Sequence, residues 1–133
     1  MEKLLIKTTK RSELVDITNQ IREVVSKSGI KDGICYVFCP HTTAGLTINE
    51  NADPAVKRDI IKALSKLVPE GADYTHSEGN ADSHIKSGVF GISLNIFIEG
   101  GQLLFGTWQG VYFCEWDGPR NREVWVKIIG EKN

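Results

Sequence analysis

The chain has 133 residues, enough for one domain that removes roughly two-thirds of its unfolded surface from water. Hydrophobic residues make up 41% and charged residues 25%, and the formal net charge of -1 excludes a chain-wide attraction to nucleic acid or anionic lipid. No apolar run approaches the roughly 20 residues of a membrane span, and the N-terminus, with an acid and lysines around a short apolar core, does not read as a signal peptide, so the cytoplasm is the expected compartment.

In chain order, residues 3–9 (KLLIKTT) are short and β-prone. Residues 18–29 (TNQIREVVSKSG) place Ile21, Val24 and Val25 on one helical stripe, with Gly29 as the C-terminal cap. Residues 33–39 (GICYVFC) are almost continuously apolar and predict a strand buried on both faces. Cys35 and Cys39 then share a face with α-carbons about 13 Å apart, well beyond the roughly 7 Å limit of a disulfide. C-x3-C with no second pair is also poor zinc spacing. With Cys114, all three cysteines are expected to be buried free thiols.

Residues 46–50 (LTINE) form a short strand. Residues 53–69 predict the stronger helix: Asp53 caps it, Pro54 suits its first position, Val56, Ile60, Leu64 and Leu67 recur at helical spacing, and Pro69 stops it. Residues 69–88 lack periodicity and read as a long functional loop. Residues 91–99 (GISLNIFIE) alternate cleanly, and Gly100-Gly101 turns them into residues 102–105. Two more strands, 110–116 and 123–129, flank the turn-like DGPRN. Two main helices and six or more strands predict a single compact α+β domain over residues 1–133, with a largely antiparallel sheet or sandwich.

The three histidines lie in polar segments. His41 opens HTTAGLTINE, and His76 and His84 bracket HSEGNADSH. A catalytic zinc takes three protein ligands and keeps one position open, which His41, His76 and His84 would satisfy. Glu50, Glu78 and Asp82 are the carboxylates placed to orient a second ring nitrogen. The same imidazoles, with Glu50 or Asp82, also suit acid–base work, and the plainest alternative is three hydrogen-bonded loop histidines. No G-x-S-x-G elbow supports a serine hydrolase.

Four stretches mix hydroxyls, amides and cations in the manner of phosphate sites: Thr42 and Thr43, Ser83 with Lys86, Thr107 with Gln109, and Arg120 with Arg122. Neither a Walker nor a Rossmann fingerprint occurs, so no nucleotide cofactor is expected. Trp108, between two glycines, would stack on a flat ring or cover a core edge. Trp116 and Trp125 fit strand cores or subunit contacts, and the helix charges Lys57, Arg58, Asp59, Lys62 and Lys66 a solvated face.

Taken together, HTTAGLTINENADP, HSEGNADSHIKSG and GTWQGVYFCEWDGPR resemble the YjbQ-like family, whose members are called secondary thiamine-phosphate synthases. The resemblance spans nearly the whole chain. It implies an α+β fold of the family's own type and a homotrimer. It also implies a pocket lined by the three histidine-bearing segments, within one subunit or between subunits, holding a divalent metal (zinc foremost) and a phosphorylated small molecule. The implied activity is weak: a pyrimidine diphosphate joins a thiazole phosphate with loss of pyrophosphate. In that reading His41, His84, Glu50 and Asp82 are catalytic. Thr42, Thr43, Ser83, Lys86, Thr107, Trp108, Gln109 and Arg120 hold the ligand, and His41, His76 and His84 the metal. The competing readings are a non-catalytic ligand-binding or scaffold trimer and a metal-dependent hydrolase. Neither nucleic acid nor membrane is an expected partner.

Overall fold

Alternating side chains build two sheets, and every strand pairing in the computed structural model, which describes residues 1–133, is antiparallel. The first sheet runs in the order β1 (Glu2–Lys7), β8 (Asn121–Glu131), β3 (Asp32–Phe38), β5 (Ser93–Glu99), β6 (Gln102–Leu103). The second runs β2 (Glu13–Asp16), β7 (Gln109–Glu115), β4 (Ala44–Glu50). The inner faces meet in one core, where Ile6, Cys35, Val37, Ile96, Ile98, Val124 and Val126 of the first sheet pack with Leu46, Val111 and Phe113 of the second. Helix α1 (Thr18–Ser28) closes this core with Ile21 and Val25, and Gly29 ends it in the left-handed conformation. The strand β2 was not anticipated, because four residues are too few for alternation to show.

Strand β3 is buried on one face only. Cys35, Val37 and Cys39 point inward, whereas Tyr36 is 43% and Phe38 38% exposed. The outer face of the five-stranded sheet has no layer over it in this chain. Ile34 pairs there with Ile129 and Phe97, and Phe38 stacks on Trp125 with ring centroids 5.7 Å apart. The expectation of burial on both sides therefore fails for a lone chain.

Helix α2 (Pro54–Leu67) begins as the sequence predicts, with Asp53 Oδ1 accepting from the Ala55 amide at 2.9 Å. Its Ile60, Ile61 and Leu64 pack on a second cluster of Leu14, Tyr112, Cys114 and Trp116 across the outer face of the three-stranded sheet.

The larger departure is helix α3 (Ala81–Phe90), which occupies the end of the expected loop. It is polar inside and apolar outside. Asp82, Ser83, Lys86 and Ser87 are buried, while Ile85 and Val89 are 42% and 65% exposed. A search for an apolar stripe misses such a helix, since the stripe facing the protein is the charged one. Ser87 Oγ donates to the Ala44 carbonyl at 2.6 Å, and the Leu46 amide donates to the Gly91 carbonyl at 3.0 Å, which ties α3 to β4.

The approach of α3 to β4 depends on Gly45, where an added Cβ would lie 2.7 Å from the Gly91 carbonyl oxygen. Gly45→Ala is expected to cost about 1–3 kcal/mol as an overpacking change. Gly88→Ala, on the same helix with nothing within 4 Å of a new Cβ, is expected to be neutral or stabilising by up to about 1 kcal/mol. Thermal unfolding of the two variants checks this, and equal losses would show that close packing is not what places α3.

Candidate functional site

His41 occupies the point where β3 leaves its ladder with β8. Pairing ends at Phe38 and Trp125, and Pro40 offers no amide. The His41 Nε2 accepts the Glu123 amide proton at 2.9 Å, so the proton of the neutral ring sits on Nδ1. Burial and the nearby Arg122 guanidinium both push the His41 pKa below its ordinary value. The neutral ring is therefore the resting form at neutral pH, with Nδ1–H as a donor.

Beneath His41 lies a buried ion pair. Arg122 Nε donates to Glu115 Oε1 at 2.8 Å, and Nη2 donates to the other carboxylate oxygen and, at 2.9 Å, to Thr43 Oγ1. Thr8 Oγ1 and the Asp117 amide also donate to Glu115, at 2.8 and 3.1 Å. Burial alone would raise the Glu115 pKa, but these donors outweigh it and hold the carboxyl below its ordinary value. Thr43 is thus committed to the scaffold, and Thr42 is the exposed hydroxyl of this loop.

A second network explains the inward polar stripe of α3. Asp82 accepts from Lys86 Nζ at 3.0 Å and from Arg11 Nη2 at 3.1 Å. Arg11 also reaches Glu70 at 2.9 Å and Asp117 at 3.4 Å. Asp117 accepts from Asn80 and Arg120 as well; burial raises its pKa, these hydrogen bonds lower it, and the net shift is downward. Ser83 Oγ donates to the Trp116 carbonyl, and the Lys86 ammonium lies 5.6 Å from the Trp116 ring. Ser83 and Lys86 therefore do not face a ligand cleft in this chain, and Asp82 pairs with cations rather than with a histidine. Arg11, which joins three distant carboxylates, carries no sequence signal: it is one arginine in the polar turn KRSE.

His76 and His84 do come together. Their ring centroids are 5.0 Å apart at 77°, and Glu78 Oε2 lies 3.7 Å from His76 Nε2. Beside them opens a cleft of about 320 Å³ lined by Tyr74, Thr75, His76, Ala81, His84 and Ile85. Two imidazoles on one tetrahedral zinc would have centroids roughly 5 Å apart, so the pair fits two ligand positions. No group of three potential metal donors converges within the chain, so the expected three-histidine set does not form in one subunit.

Of the remaining candidates, Glu50, Thr107, Trp108 and Gln109 sit at the other end of β4, whereas Arg120 stays at the histidine end, its amide donating to Thr8 Oγ1 at 2.9 Å. The Gly106 amide donates to Gln109 Oε1 at 2.8 Å, the Gln109 amide to the Gly106 carbonyl at 3.1 Å, and the Asn51 amide to the Trp108 carbonyl at 3.0 Å. Trp108 is 61% exposed, Thr107 is exposed, and Arg120 is largely exposed near Asp117. Glu50, paired with Gln109, stands at the far end of the strand from His41, about 20 Å away along β4, so it does not orient that ring. All three cysteines are free and buried, and burial raises each thiol, Cys35 to about 11, which leaves none suited to nucleophilic work.

The whole domain, with its histidine segments at one end and its GTWQG turn at the other, matches a known family model, described as UPF0047 protein YjbQ-like, over residues 2–131. The chain belongs to this family. A UPF0047 protein of Methanocaldococcus jannaschii is 59% identical over 98% of this chain and 94% of its own length. YugU, a UPF0047 protein of Bacillus subtilis, is 47% identical over 98% of this chain and 99% of its own. Among solved structures, an uncharacterised YjbQ/UPF0047 protein of Clostridium acetobutylicum superposes with a TM-score of 0.96 at 53% identity, covering 97% of this chain and all of that one. A family protein of unknown function from Sulfolobus solfataricus gives 0.94 at 34% identity over 98% of this chain and 96% of its own. No helix is long and apolar enough to cross a membrane.

The lowered pKa values set a pH dependence. A folded-state histidine held below its ordinary 6.5 is destabilising as pH falls, because the unfolded chain takes the proton first. Glu115 and Asp117, held below 4.5 and 3.8, add stability above those values that is lost as pH falls through their folded pKa values. Stability should therefore plateau above about pH 6.5 and fall in two stages, the second below about 4.5. Glu115→Gln should cost about 3–5 kcal/mol near neutral pH by stranding Arg122, and should weaken the second stage. Urea unfolding across pH checks both, and an unchanged acid limb in the variant would contradict the assignment.

Proposed function

We propose that this protein is a small-molecule enzyme acting on a phosphorylated ligand, with the His76–His84 pair and its cleft as the centre of the site. The observation that carries this reading is the spacing of the two accessible imidazoles, 5.0 Å between centroids, beside an open cleft. A divalent metal, zinc foremost, would be held by His76 and His84, and it would neutralise negative charge on a diphosphate.

The chemistry is of the thiamine-phosphate type. A thiazole nitrogen attacks the methylene carbon of a pyrimidine diphosphate, the carbon–oxygen bond breaks, and pyrophosphate leaves with the electron pair. The chain's own part is to hold charge and align rings. His41 Nδ1–H, the Thr42 hydroxyl and the exposed Arg120 are donors for anionic oxygens. The exposed Trp108 indole is the stacking surface. No covalent nucleophile is required, in keeping with the buried thiols, and free thiols suit the reducing cytoplasm.

The working form is a homotrimer. Tyr36, Phe38, Phe97 and Ile129 leave an apolar sheet face that further subunits would cover. Light scattering at micromolar concentration should return three chain masses, and a monomer would contradict this.

His84→Ala and His41→Ala are each expected to lower turnover at least about a hundredfold with folding retained, while Cys39→Ala leaves it largely intact. Zinc titration should show stoichiometric binding that is lost in His76→Ala. Zinc and phosphorylated-ligand binding without any turnover would favour the non-catalytic trimer. Full turnover in both His41→Ala and His84→Ala would remove the site from the reaction.

A further inference from the structure

The residues that chemistry would gather into one site lie at the two ends of the β4–β7 pair. His41, His76 and His84 stand at the end where Ala44 pairs with Glu115. Glu50 and Trp108 stand at the end where Glu50 pairs with Gln109, about 20 Å of strand away. No bending of one compact sheet brings these ends together.

Each end is unfinished by itself. At the histidine end, two imidazoles face a cleft whose rim includes the exposed Ile85, and the Glu78 carboxylate, 3.7 Å from His76, does not complete a three-donor metal set. At the other end, Glu50 is bonded through its backbone only, its amide to Asn49 Oδ1 and its carbonyl to the Tyr112 hydroxyl. Its carboxylate has no donor in the chain. Beside it the Trp108 indole projects into solvent from a turn held by the hydrogen bonds between Gly106 and Gln109 and from the Asn51 amide. Asn51, which binds the Trp108 carbonyl, is itself held by Asp16 at 3.2 Å, and Gly110 has no room for a side chain because a Cβ would lie 2.2 Å from Asn51 Nδ2. A large aromatic presented rigidly and left uncovered is the pattern of a binding anchor.

We propose that the two ends meet between copies: the Trp108 turn and Glu50 of one subunit close the His76–His84 cleft of the next. The chemical role of this contact rests on the function proposed above, but the contact itself does not. Because the surfaces that meet are different patches, the association is head-to-tail, and such contacts close into a ring when the rotation permits. The hydrogen-bonding chemistry is complementary, since a carboxylate with no donor in its own chain arrives at two imidazoles, whose ring N–H groups can donate to it. Two nitrogens and one carboxylate oxygen are also a ligand set that catalytic zinc uses. Trp108 then roofs the cleft of its neighbour and stacks on a flat ring bound there, so every site draws on two chains.

Two measurements on the assembled protein decide this. In the first, copies carrying Thr107→Cys are co-expressed with copies carrying Ile85→Cys, and a short bismaleimide is added; the native thiols are buried and do not compete. Covalent dimers are expected from the mixture and not from either variant alone. Their absence from intact oligomers overturns the contact, whether or not the protein is an enzyme. In the second, His84→Ala and Trp108→Ala are each expected to be inactive. Co-expressed in equal amounts, they should recover about one quarter of wild-type turnover, since one neighbouring pair in four carries both intact halves. No recovery from two inactive parents overturns the shared site. Active parents would count against the proposed chemistry alone, and the cross-link would still decide the contact.

Discussion

The fully buried carboxylate of Glu115 is the constraint around which the rest is arranged. It lies in β7, the central strand of the smaller sheet, and an unpaired charge there would not be tolerated. Arg122 of β8 answers it from the other sheet, Thr8 from the end of β1 and the Asp117 amide from the turn. One side chain therefore fixes how the two sheets meet at this end of the sandwich. The same guanidinium fixes Thr43 and, after burial, adds to the lowering of the His41 pKa. The scaffold and the candidate site are continuous here.

Much of the fold can be read directly from the sequence because its cues are local. Helix α2 announces itself through Asp53, Pro54 and a regular apolar stripe, and α1 through Gly29. The strand 91–99 shows its pattern in simple alternation. Helix α3 was hidden for the opposite reason. Its stabilising contacts are ion pairs and hydrogen bonds to Arg11, Trp116 and Ala44, residues 33 to 71 positions away in the chain, and no periodicity of apolar residues records them. The outer face of β3 misled in the same manner: Tyr36 and Phe38 look like core in a string of letters and are surface on a lone subunit.

The site was legible as an inventory and not as a geometry. His76 and His84 are eight residues apart, and their rings meet because the loop that carries His76 lies against the first turn of α3. The commitment of Ser83, Lys86 and Thr43 to internal partners could not be guessed, because a buried lysine and a phosphate-binding lysine are the same letter. Arg11 was invisible, although it ties the segment bearing His76 to α3 and to the β7–β8 turn. Glu50 and Trp108 have the right chemistry at the wrong end of a strand for a one-chain site.

The two networks are also balanced in charge: Arg11, Lys86, Arg120 and Arg122 face Glu70, Asp82, Glu115 and Asp117. Their inner pairs are shielded from mobile ions, and ionic strength screens such contacts far less than it screens exposed charges. Concentrated salt should thus leave the joint between the sheets intact while it weakens exposed pairs such as Lys27 with Glu23. In this molecule, ionic strength separates the charges that join the two sheets from those that only decorate the surface.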